Sequence, residues 1–358
     1  MVVSADTTVV DVYGTDATDL VAKLQADGWP IPPALVRRRR PRLGNLHPAV
    51  SAAAAAVYRT RHRLRWATSG SRWATERDET RLGTRITRHN SLLLRQLGES
   101  DMWMQHNKVT NLKIAAALTD GLVIRPGETF SFCRTVGRTS SKRGFVDGML
   151  LSNGKAVGGM GGGICQLANL LHWMVLHSPL TVTQRSEHGF DPFPDNNRVI
   201  PWGTGAAIYY NYVDLAFRND TDATFQLITR VGPRYLEGEL LADRELPHSY
   251  RVHARDEEFL RIDGHWFRRN EIWRRVIDRR TGNDVGDELV RRNLALVTYT
   301  PAPFRQDGDP EPTGPLGEPI PVRAPHTSSG AARPDTPADH GGDHPADRDV
   351  DAAPISTP

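Results

Sequence analysis

The chain has 358 residues, 39% of them hydrophobic, and a formal net charge of +3 at pH 7. That length is enough for one large or two ordinary domains with buried cores. Its two cysteines, Cys133 and Cys165, exclude a disulfide-rich scaffold and a four-cysteine zinc site, and leave one disulfide between them open.

Neither a transmembrane segment nor a signal peptide is predicted from the sequence. No apolar run reaches the roughly 18 residues that a transmembrane helix needs. Residues 1–8 lack the basic start and apolar stretch of a signal peptide. We therefore expect a cytoplasmic protein, with peripheral attachment to a membrane still open.

Residues 301–358 differ in composition from the rest of the chain. They hold 13 of the 25 prolines and 10 Asp/Glu against 4 Arg, a balance of −6, so residues 1–300 carry +9. A segment so poor in apolar residues cannot bury a core, and we predict a disordered, acidic, proline-rich tail. The basic remainder fits either anionic partners or a protein whose charges screen one another, and charge balance alone favours the second interpretation.

Residues 1–106 form a basic region that we predict to be mostly helical. Helices are expected at 17–27 and 48–66, with partly helical structure at 72–99. Nine arginines lie between Arg37 and Arg65. They fit a peripheral contact with an anionic surface or a solvated helix face, and the second is favoured because no apolar or aromatic-rich face is evident beside them. We expect no nucleic-acid partner.

From residue 107 onwards the pattern becomes mixed. A helix is predicted from Asn111, as its N-cap, to about Gly121. A Pro-Gly turn follows at 126–127, then short strands at 149–152 and 155–157, a helix at 164–177 and a strand at 180–185. The later strands are predicted at 206–212, 213–218, 225–230, 235–241, 250–254, 266–275 and 295–300. The fold class is α+β, with a basic N-terminal helical region, a central glycine loop and helix, and a C-terminal antiparallel β-rich part.

Four segments, in order along the chain, resemble the motifs of the VanW family. They are Asn111-Leu with Asp120-Gly-Leu-Val-Ile-Arg-Pro-Gly-Glu-Thr-Phe-Ser-Phe132; Gly161-Gly-Gly-Ile-Cys-Gln166 with Asn169-Leu-Leu; Glu187-His188 after an arginine; and Val213-Asp-Leu-Ala-Phe-Arg-Asn219. The resemblance extends over about residues 30–300. It implies a VanW-like domain at 107–230, a β-rich extension at 231–300, and an accessory role connected with vancomycin resistance and the cell wall.

The sequence departs from the family pattern at one position. Relatives usually have Gly-x-Asp-Ala where this chain has Gly203-Thr-Gly-Ala206, so Gly205 replaces an acidic residue. If that carboxylate orients a histidine in relatives, this chain lacks it or supplies it from Asp191, Asp195 or Asp214.

Cys165 is the residue whose sequence context most clearly indicates a reactive side chain. It follows Gly161, Gly162 and Gly163 at a predicted helix start, where unpaired amides and the helix dipole favour a thiolate. Three interpretations stay open: a catalytic nucleophile, a non-catalytic residue in a ligand-binding turn, or a buried cysteine that fills core space. Glycines before a helix also serve close packing without any chemistry.

The catalytic interpretation needs partners for the thiol. His188, which follows a later predicted strand, is the candidate general base, and Gln166 is a candidate donor to a developing oxyanion. This order is similar to that of papain-like and transglutaminase-like acyl transferases, an analogy only. A loop histidine is more often inert than catalytic.

Other residues are weaker candidates. Asn169 and Glu128 could line a binding site, although Glu128 also fits a simple turn residue. His172 shares a helix face with Cys165, but its apolar neighbours favour a satisfied core histidine. A zinc site from Cys165, His172 and His188 fits no metal motif, and the glycine run lacks the lysine of a phosphate loop. We expect no metal and no cofactor.

These observations support two main hypotheses. The first is a cysteine-dependent acyl transferase or peptide hydrolase acting on a peptidoglycan peptide or precursor. The second is a non-catalytic module of the cell-wall machinery that binds a peptide or a partner protein. The absence of an acidic residue at Gly205 favours the second.

Overall fold

The computed structural model describes residues 10–32, 34–35, 48–94, 102–152, 155–187, 189–191 and 199–301. The arginine cluster at 37–42, His188, Asp195 and the proline-rich segment from 302 onwards lie outside these residues. The helices of the described part are α1 (Gly14–Ala26), α2 (Pro48–Thr68), α3 (Met102–Thr119), α4 (Phe132–Val136) and α5 (Cys165–Leu176).

Fifteen strands are found within the same residues. They are β1 (Val10–Val12), β2 (Arg72–Trp73), β3 (Thr84–Leu92), β4 (Val123–Ile124), β5 (Glu128–Ser131), β6 (Asp147–Ser152), β7 (Lys155–Met160), β8 (Thr181–Gln184), β9 (Phe190–Asp191), β10 (Ala216–Arg218), β11 (Phe225–Val231), β12 (Tyr235–Ala242), β13 (His248–Ile262), β14 (His265–Asp278) and β15 (Asp284–Val297).

The strands form four sheets, with the orders β3-β12-β11-β4, β2-β5-β10-β8, β1-β13-β14-β15-β9 and the hairpin β6-β7. Pairing is mainly antiparallel, with parallel pairs at β1–β13, β15–β9 and β2–β5. The mixture of helices and largely antiparallel sheets, with long strands late in the chain, confirms the predicted α+β class.

Helices α3 and α5 pack on the same face of the first sheet. The Thr119 and Thr229 hydroxyls lie 2.8 Å apart between α3 and β11. Gly238, the register partner of Thr229 on β12, allows Leu170 and Met174 of α5 to approach the sheet. This arrangement forms the larger hydrophobic core, and a close helix–sheet approach of this kind needs a residue without a side chain.

A second, smaller core joins the two ends of the described chain. Ala17 and Leu24 of α1 pack against Leu260, Phe267 and Leu294 of the long strands β13 to β15. Because β1 also pairs in parallel with β13, the N-terminal segment is part of the C-terminal sheet. None of the helices in the described ranges is both long enough and apolar enough to span a membrane.

Within residues 72–94, the described part of the segment expected to be partly helical at 72–99, the structure has strands and no helix, so the expectation is wrong there. Residues 84–92 form β3, which pairs along its length with β12. Exposed and less exposed side chains largely alternate along it, from Arg85 and Ile86 to Ser91 and Leu92, as on a strand with one covered face. The polar composition of this strand concealed its period of two.

The assignment of Asn111 as a helix N-cap is also wrong. Helix α3 starts at Met102, so Asn111 lies in its interior and is fully buried. Its side-chain amide donates to the carbonyls of Val146 and Gly162, each at 2.9 Å, and its carbonyl accepts from the Val146 amide at 2.9 Å. The polar side chain therefore joins α3 to the glycine turn instead of ending a helix.

No continuous strand forms at 206–212, contrary to expectation. The segment makes only the isolated bridges Ser186–Ala207 and Tyr209–Val213. Its backbone is held instead by side chains, since Asn169 Oδ1 accepts from the Ala206 amide at 2.6 Å. The alternating apolar residues of this loop fill the core without joining a sheet.

Candidate functional site

The glycine turn before α5 is tightly packed against its neighbours. A Cβ atom on Gly162 would lie 2.1 Å from the Gly148 carbonyl group of β6, and one on Gly163 would lie 2.1 Å from Lys108 of α3. Gly161 and Gly163 also have positive φ angles of 76° and 90°, which side chains disfavour. Close packing therefore accounts for all three glycines without a ligand.

Several amides of this turn already have acceptors. The amides of Gly161 and Gly162 donate to Val146 and Gly159 at 3.0 and 2.9 Å, and the amide of Gln166 donates to the Gly163 carbonyl at 3.0 Å. An oxyanion at the turn would have to displace these hydrogen bonds, which costs the energy of the bonds that are lost.

The Cys165 thiol shows the opposite electrostatic behaviour from an activated nucleophile. The residue begins α5, as the sequence predicted, and Sγ lies 3.9 Å from the Ile208 carbonyl oxygen. Burial of the sulfur raises the pKa of the thiol above its ordinary value, and backbone hydrogen bonds offset this only in part. Desolvation thus outweighs the helix N-terminus. Cys133 is also a free thiol, and it is buried, whereas Cys165 is partly exposed as a residue.

Three polar side chains predicted for the site, those of Gln166, Asn169 and Glu128, hold backbone segments. Gln166 Nε2 donates to Ser91 Oγ at 2.9 Å and to the Leu92 carbonyl at 2.8 Å, which fixes the end of β3. Asn169 fixes Ala206 as described above. Glu128 accepts from the Arg125 amide at 2.9 Å and so closes the turn before β5. The structure does not bring these three side chains together around Cys165.

A polar cavity lies beside the second half of α5 and the segment that contains Arg185. It has a volume of about 230 Å³ and lies between α5, β8, the 203–204 loop and strands β14 and β15. The lining residues are His172, Leu176, Val182, Thr183, Gln184, Arg185, Gly203, Thr204, Ile272, Val290 and Arg291. The sequence patterns did not indicate Arg185 or Arg291 as site residues. The position of Arg185 two residues before the Glu187-His188 motif was the available signal for the first, whereas nothing in the sequence pointed to the second.

Arg185 is the most deeply buried charge of this cavity, with 5% of its side chain exposed. Its Nε and one terminal nitrogen donate to the carbonyls of Gly205 and Gly203, both at 2.6 Å. Burial, and to a smaller extent repulsion from Arg291, lowers the pKa of Arg185 to about 10. The guanidinium therefore stays charged at neutral pH. Gly205, which replaces the family's acidic residue, thus accepts a hydrogen bond from Arg185 through its backbone carbonyl.

His172 forms the wall beside Arg185. Its Nδ1 lies 2.7 Å from the Thr204 carbonyl oxygen. Because a carbonyl oxygen only accepts, Nδ1 carries the hydrogen. Burial, and to a smaller extent repulsion from Arg185, lowers the pKa of His172 to about 3. The ring is a neutral donor that fixes the 203–204 loop.

One carboxylate serves both arginines of the cavity. Glu187 accepts from Arg291 at 3.1 Å and lies 3.8 Å from Arg185. Arg291 Nε is buried and has no acceptor among the described residues. With His172 neutral, these groups carry two positive charges and one negative charge. The cavity therefore has an excess positive charge that a ligand anion could compensate.

Two of the three carboxylates suggested as substitutes at Gly205 are engaged elsewhere. Asp191 pairs with the buried Arg268 at 3.2 Å and accepts from the Tyr299 hydroxyl at 3.0 Å. Asp214 accepts from Ser131 Oγ and from the Cys133 amide. Burial raises the pKa of Asp214 to about 6.

Comparison with known proteins gives a consistent picture. The family model described as VanW like protein matches residues 107–241. The Vancomycin B-type resistance protein VanW of Enterococcus faecalis (strain ATCC 700802 / V583) is 37% identical over 199 residues, which cover 56% of this chain and 72% of that protein. The uncharacterized protein YoaR of Bacillus subtilis (strain 168) is 30% identical over 112 residues, or 30% of this chain and 34% of YoaR.

No solved structure matches the chain. The Enterococcus relative shares most of its length with this protein, and the family model matches the segment that contains the glycine turn, α5 and Arg185. On this evidence the chain belongs to the VanW family.

Proposed function

We propose that this protein is a non-catalytic binding module that holds the carboxylate end of a cell-wall peptide in the cavity around Arg185 and Arg291. The observation that carries the proposal is the charge imbalance of two arginines against the single carboxylate of Glu187. Arginine recognises carboxylates through paired hydrogen bonds. A carboxylate beside Arg291 would compensate the excess charge.

The size of the cavity limits what enters it. At about 230 Å³ it is smaller than the pockets of about 300–1,000 Å³ that enclose drug-sized ligands. It fits the end of a longer molecule, with the remainder lying outside. A peptide that presents a terminal carboxylate has this form.

The cell-wall assignment rests on the family. The Enterococcus relative is named for vancomycin B-type resistance, and we propose that this chain also acts in glycopeptide resistance. A cytoplasmic location stays a prediction, and a peptidoglycan precursor is the ligand that would meet the protein there.

A cysteine-dependent acyl transferase or peptide hydrolase is the second candidate, with Cys165 as nucleophile and His188 as base. The position of Cys165 at the first residue of α5 supports it. The raised pKa of the thiol and the engagement of Gln166 with β3 count against it.

The decisive experiment is titration calorimetry with a muropeptide that has a free C-terminal carboxylate, compared with its C-terminal amide. We expect binding of the free carboxylate only. Arg291→Gln should weaken that binding about tenfold to hundredfold, the usual value of a hydrogen bond to a charged group. Arg251→Gln, an exposed arginine outside the cavity, is the matched control and should leave affinity unchanged.

Two results would contradict the proposal. Equal affinity for the carboxylate and the amide would exclude the arginine pair as the recognition element. Conversion of the muropeptide that disappears in Cys165→Ser would establish the enzyme instead, because a binding module should keep its affinity in that variant.

A further inference from the structure

Helix α2 is attached to the rest of the protein along one face. The rings of Tyr58 and Tyr212 lie 5.6 Å apart, and Asn211 donates to the Arg59 carbonyl at 3.3 Å. His62 is buried, and Trp66 packs against the larger core. These docked residues follow one another at spacings of three and four, the spacing of a single helix face.

The opposite face carries an exposed apolar stripe, formed by Val50, Val57 and Leu64. Their exposed fractions are 44%, 67% and 60%. The spacing of seven residues brings each one to nearly the same angular position, since seven residues are close to two helical turns. The expectation that no apolar face accompanies the arginines is therefore wrong.

Exposed arginines flank this stripe on both sides. Arg61 lies one turn from Val57 and Leu64, with Arg65 one turn further on, and Arg63 lies on the other flank. The sequence has no Asp or Glu from Gly28 to Thr75 but has ten arginines there, so this segment carries +10 in a chain of +3. Local carboxylates cannot neutralise this charge.

We propose that α2 is a membrane-docking helix that lies on an anionic phospholipid surface, with the exposed stripe inserted among the lipid chains and the arginines against the phosphates. An apolar stripe bordered by arginines is the pattern of helices that lie in the plane of a membrane interface. Nucleic-acid phosphates would attract the same arginines but gain nothing from Val57 and Leu64. A second copy of the chain would bring ten arginines against ten.

The test is co-sedimentation of the full chain with vesicles of phosphatidylcholine that contain about one third phosphatidylglycerol, a fraction that gives a strongly negative surface. We expect binding at low salt, loss of binding at about 0.5 M salt because charges are then screened, and none to phosphatidylcholine alone. Arg61→Gln with Arg65→Gln should weaken binding about 25-fold, or about fivefold per arginine. Val57→Ser with Leu64→Ser should weaken it about tenfold or more.

Matched controls lie elsewhere on the surface. Arg251→Gln with Arg280→Gln removes the same charge from other exposed positions, and Val285→Ser changes a valine that is 60% exposed on β15. Both controls should bind like the original protein. Because all these positions are exposed, the variants should fold, which circular dichroism checks.

Three outcomes would overturn the proposal. One is protein that stays in the supernatant with anionic vesicles at low salt. Another is a stripe variant that binds no worse than Val285→Ser. The third is self-association that the stripe variant abolishes, or binding to RNA that it leaves intact, in place of vesicle binding. None of these results depends on the cavity around Arg291.

Discussion

His172 and Asp214 are two buried groups whose titration makes the stability of the protein depend on pH in opposite directions. Burial and the nearby Arg185 lower the pKa of His172 to about 3. Burial raises the pKa of Asp214 to about 6. Their ordinary values, which apply in the unfolded chain, are 6.5 and 3.8. We predict that the slopes with which the two groups make the free energy of unfolding change with pH nearly cancel near pH 5, and that single substitutions reveal each slope.

The sign follows from which state binds the proton. Between pH 6.5 and pH 3 the unfolded chain binds a proton at His172 that the folded protein does not bind. The contribution of neutral His172 to stability is therefore complete above pH 6.5 and is lost as the pH falls towards 3. For Asp214 the folded protein keeps a proton that the unfolded chain releases. Its contribution is complete below pH 3.8 and is lost as the pH rises through 6.

The magnitude follows from about 1.36 kcal/mol for each proton and pH unit. At pH 5 the values above give a slope in the free energy of unfolding of about +1.3 kcal/mol per pH unit from His172 and about −1.2 from Asp214. Asp214→Asn should leave the first slope and His172→Gln the second. The two variants should therefore differ by about 2.5 kcal/mol per pH unit, against a net of about 0.1 from the pair in the original protein.

The measurement is urea unfolding at several pH values between 4.5 and 5.5, followed by tryptophan fluorescence. Every other titrating group is shared by the three proteins, so the differences between their slopes isolate the two residues. The side chain introduced by Asp214→Asn would keep an oxygen that accepts from the Cys133 amide, and its nitrogen could donate to Ser131 Oγ in place of the bond that Ser131 donates to the carboxylate. Parallel slopes in both variants would refute the assigned ionisation states.

Two further predictions concern the glycine turn and the thiol beside it. Gly162→Ala should destabilise the protein by several kcal/mol, because its Cβ would overlap the Gly148 carbonyl, whereas Gly286→Ala, with open space around it, should change the urea midpoint little. Equal urea midpoints for these two alanine variants would contradict the packing account. Cys165, in a Cys133→Ser background, should react with iodoacetamide slowly, and the pH midpoint of the reaction should lie above that of an ordinary thiol, because burial raises its pKa. A pH midpoint below 8 would restore the nucleophile hypothesis.

Local sequence patterns were sufficient for several elements. The helix predicted at 164–177 is α5, and the one predicted at 48–66 is α2, because their apolar and alanine-rich residues recur with helical spacing. The long strands β13 and β14 include the predicted segments at 250–254 and 266–275 and extend beyond them. Strand ends depend on pairing with neighbours, which a single segment does not specify.

Residues of the family motifs were found from the sequence, but their roles were not. Asn111, Gln166 and Asn169 each bond to backbone groups 35 to 74 residues away in the chain. Such partners are fixed only when α3, α5 and β3 pack together. The same holds for Cys165, where the sequence indicated the helix start but not the burial that raises the pKa of the thiol.

The sequence by itself determined the family, the α+β class, the helix that begins at Cys165 and the basic character of the N-terminal region. These follow from residue order and local periodicity. Tertiary structure decided which face of α2 is docked, and hence that Val57 and Leu64 are exposed between arginines. It also brought Arg185 and Arg291 to one cavity and placed the carboxylate of Glu187 within 4 Å of both. Both features depend on contacts between segments far apart in the chain, which only the packing of the folded protein specifies.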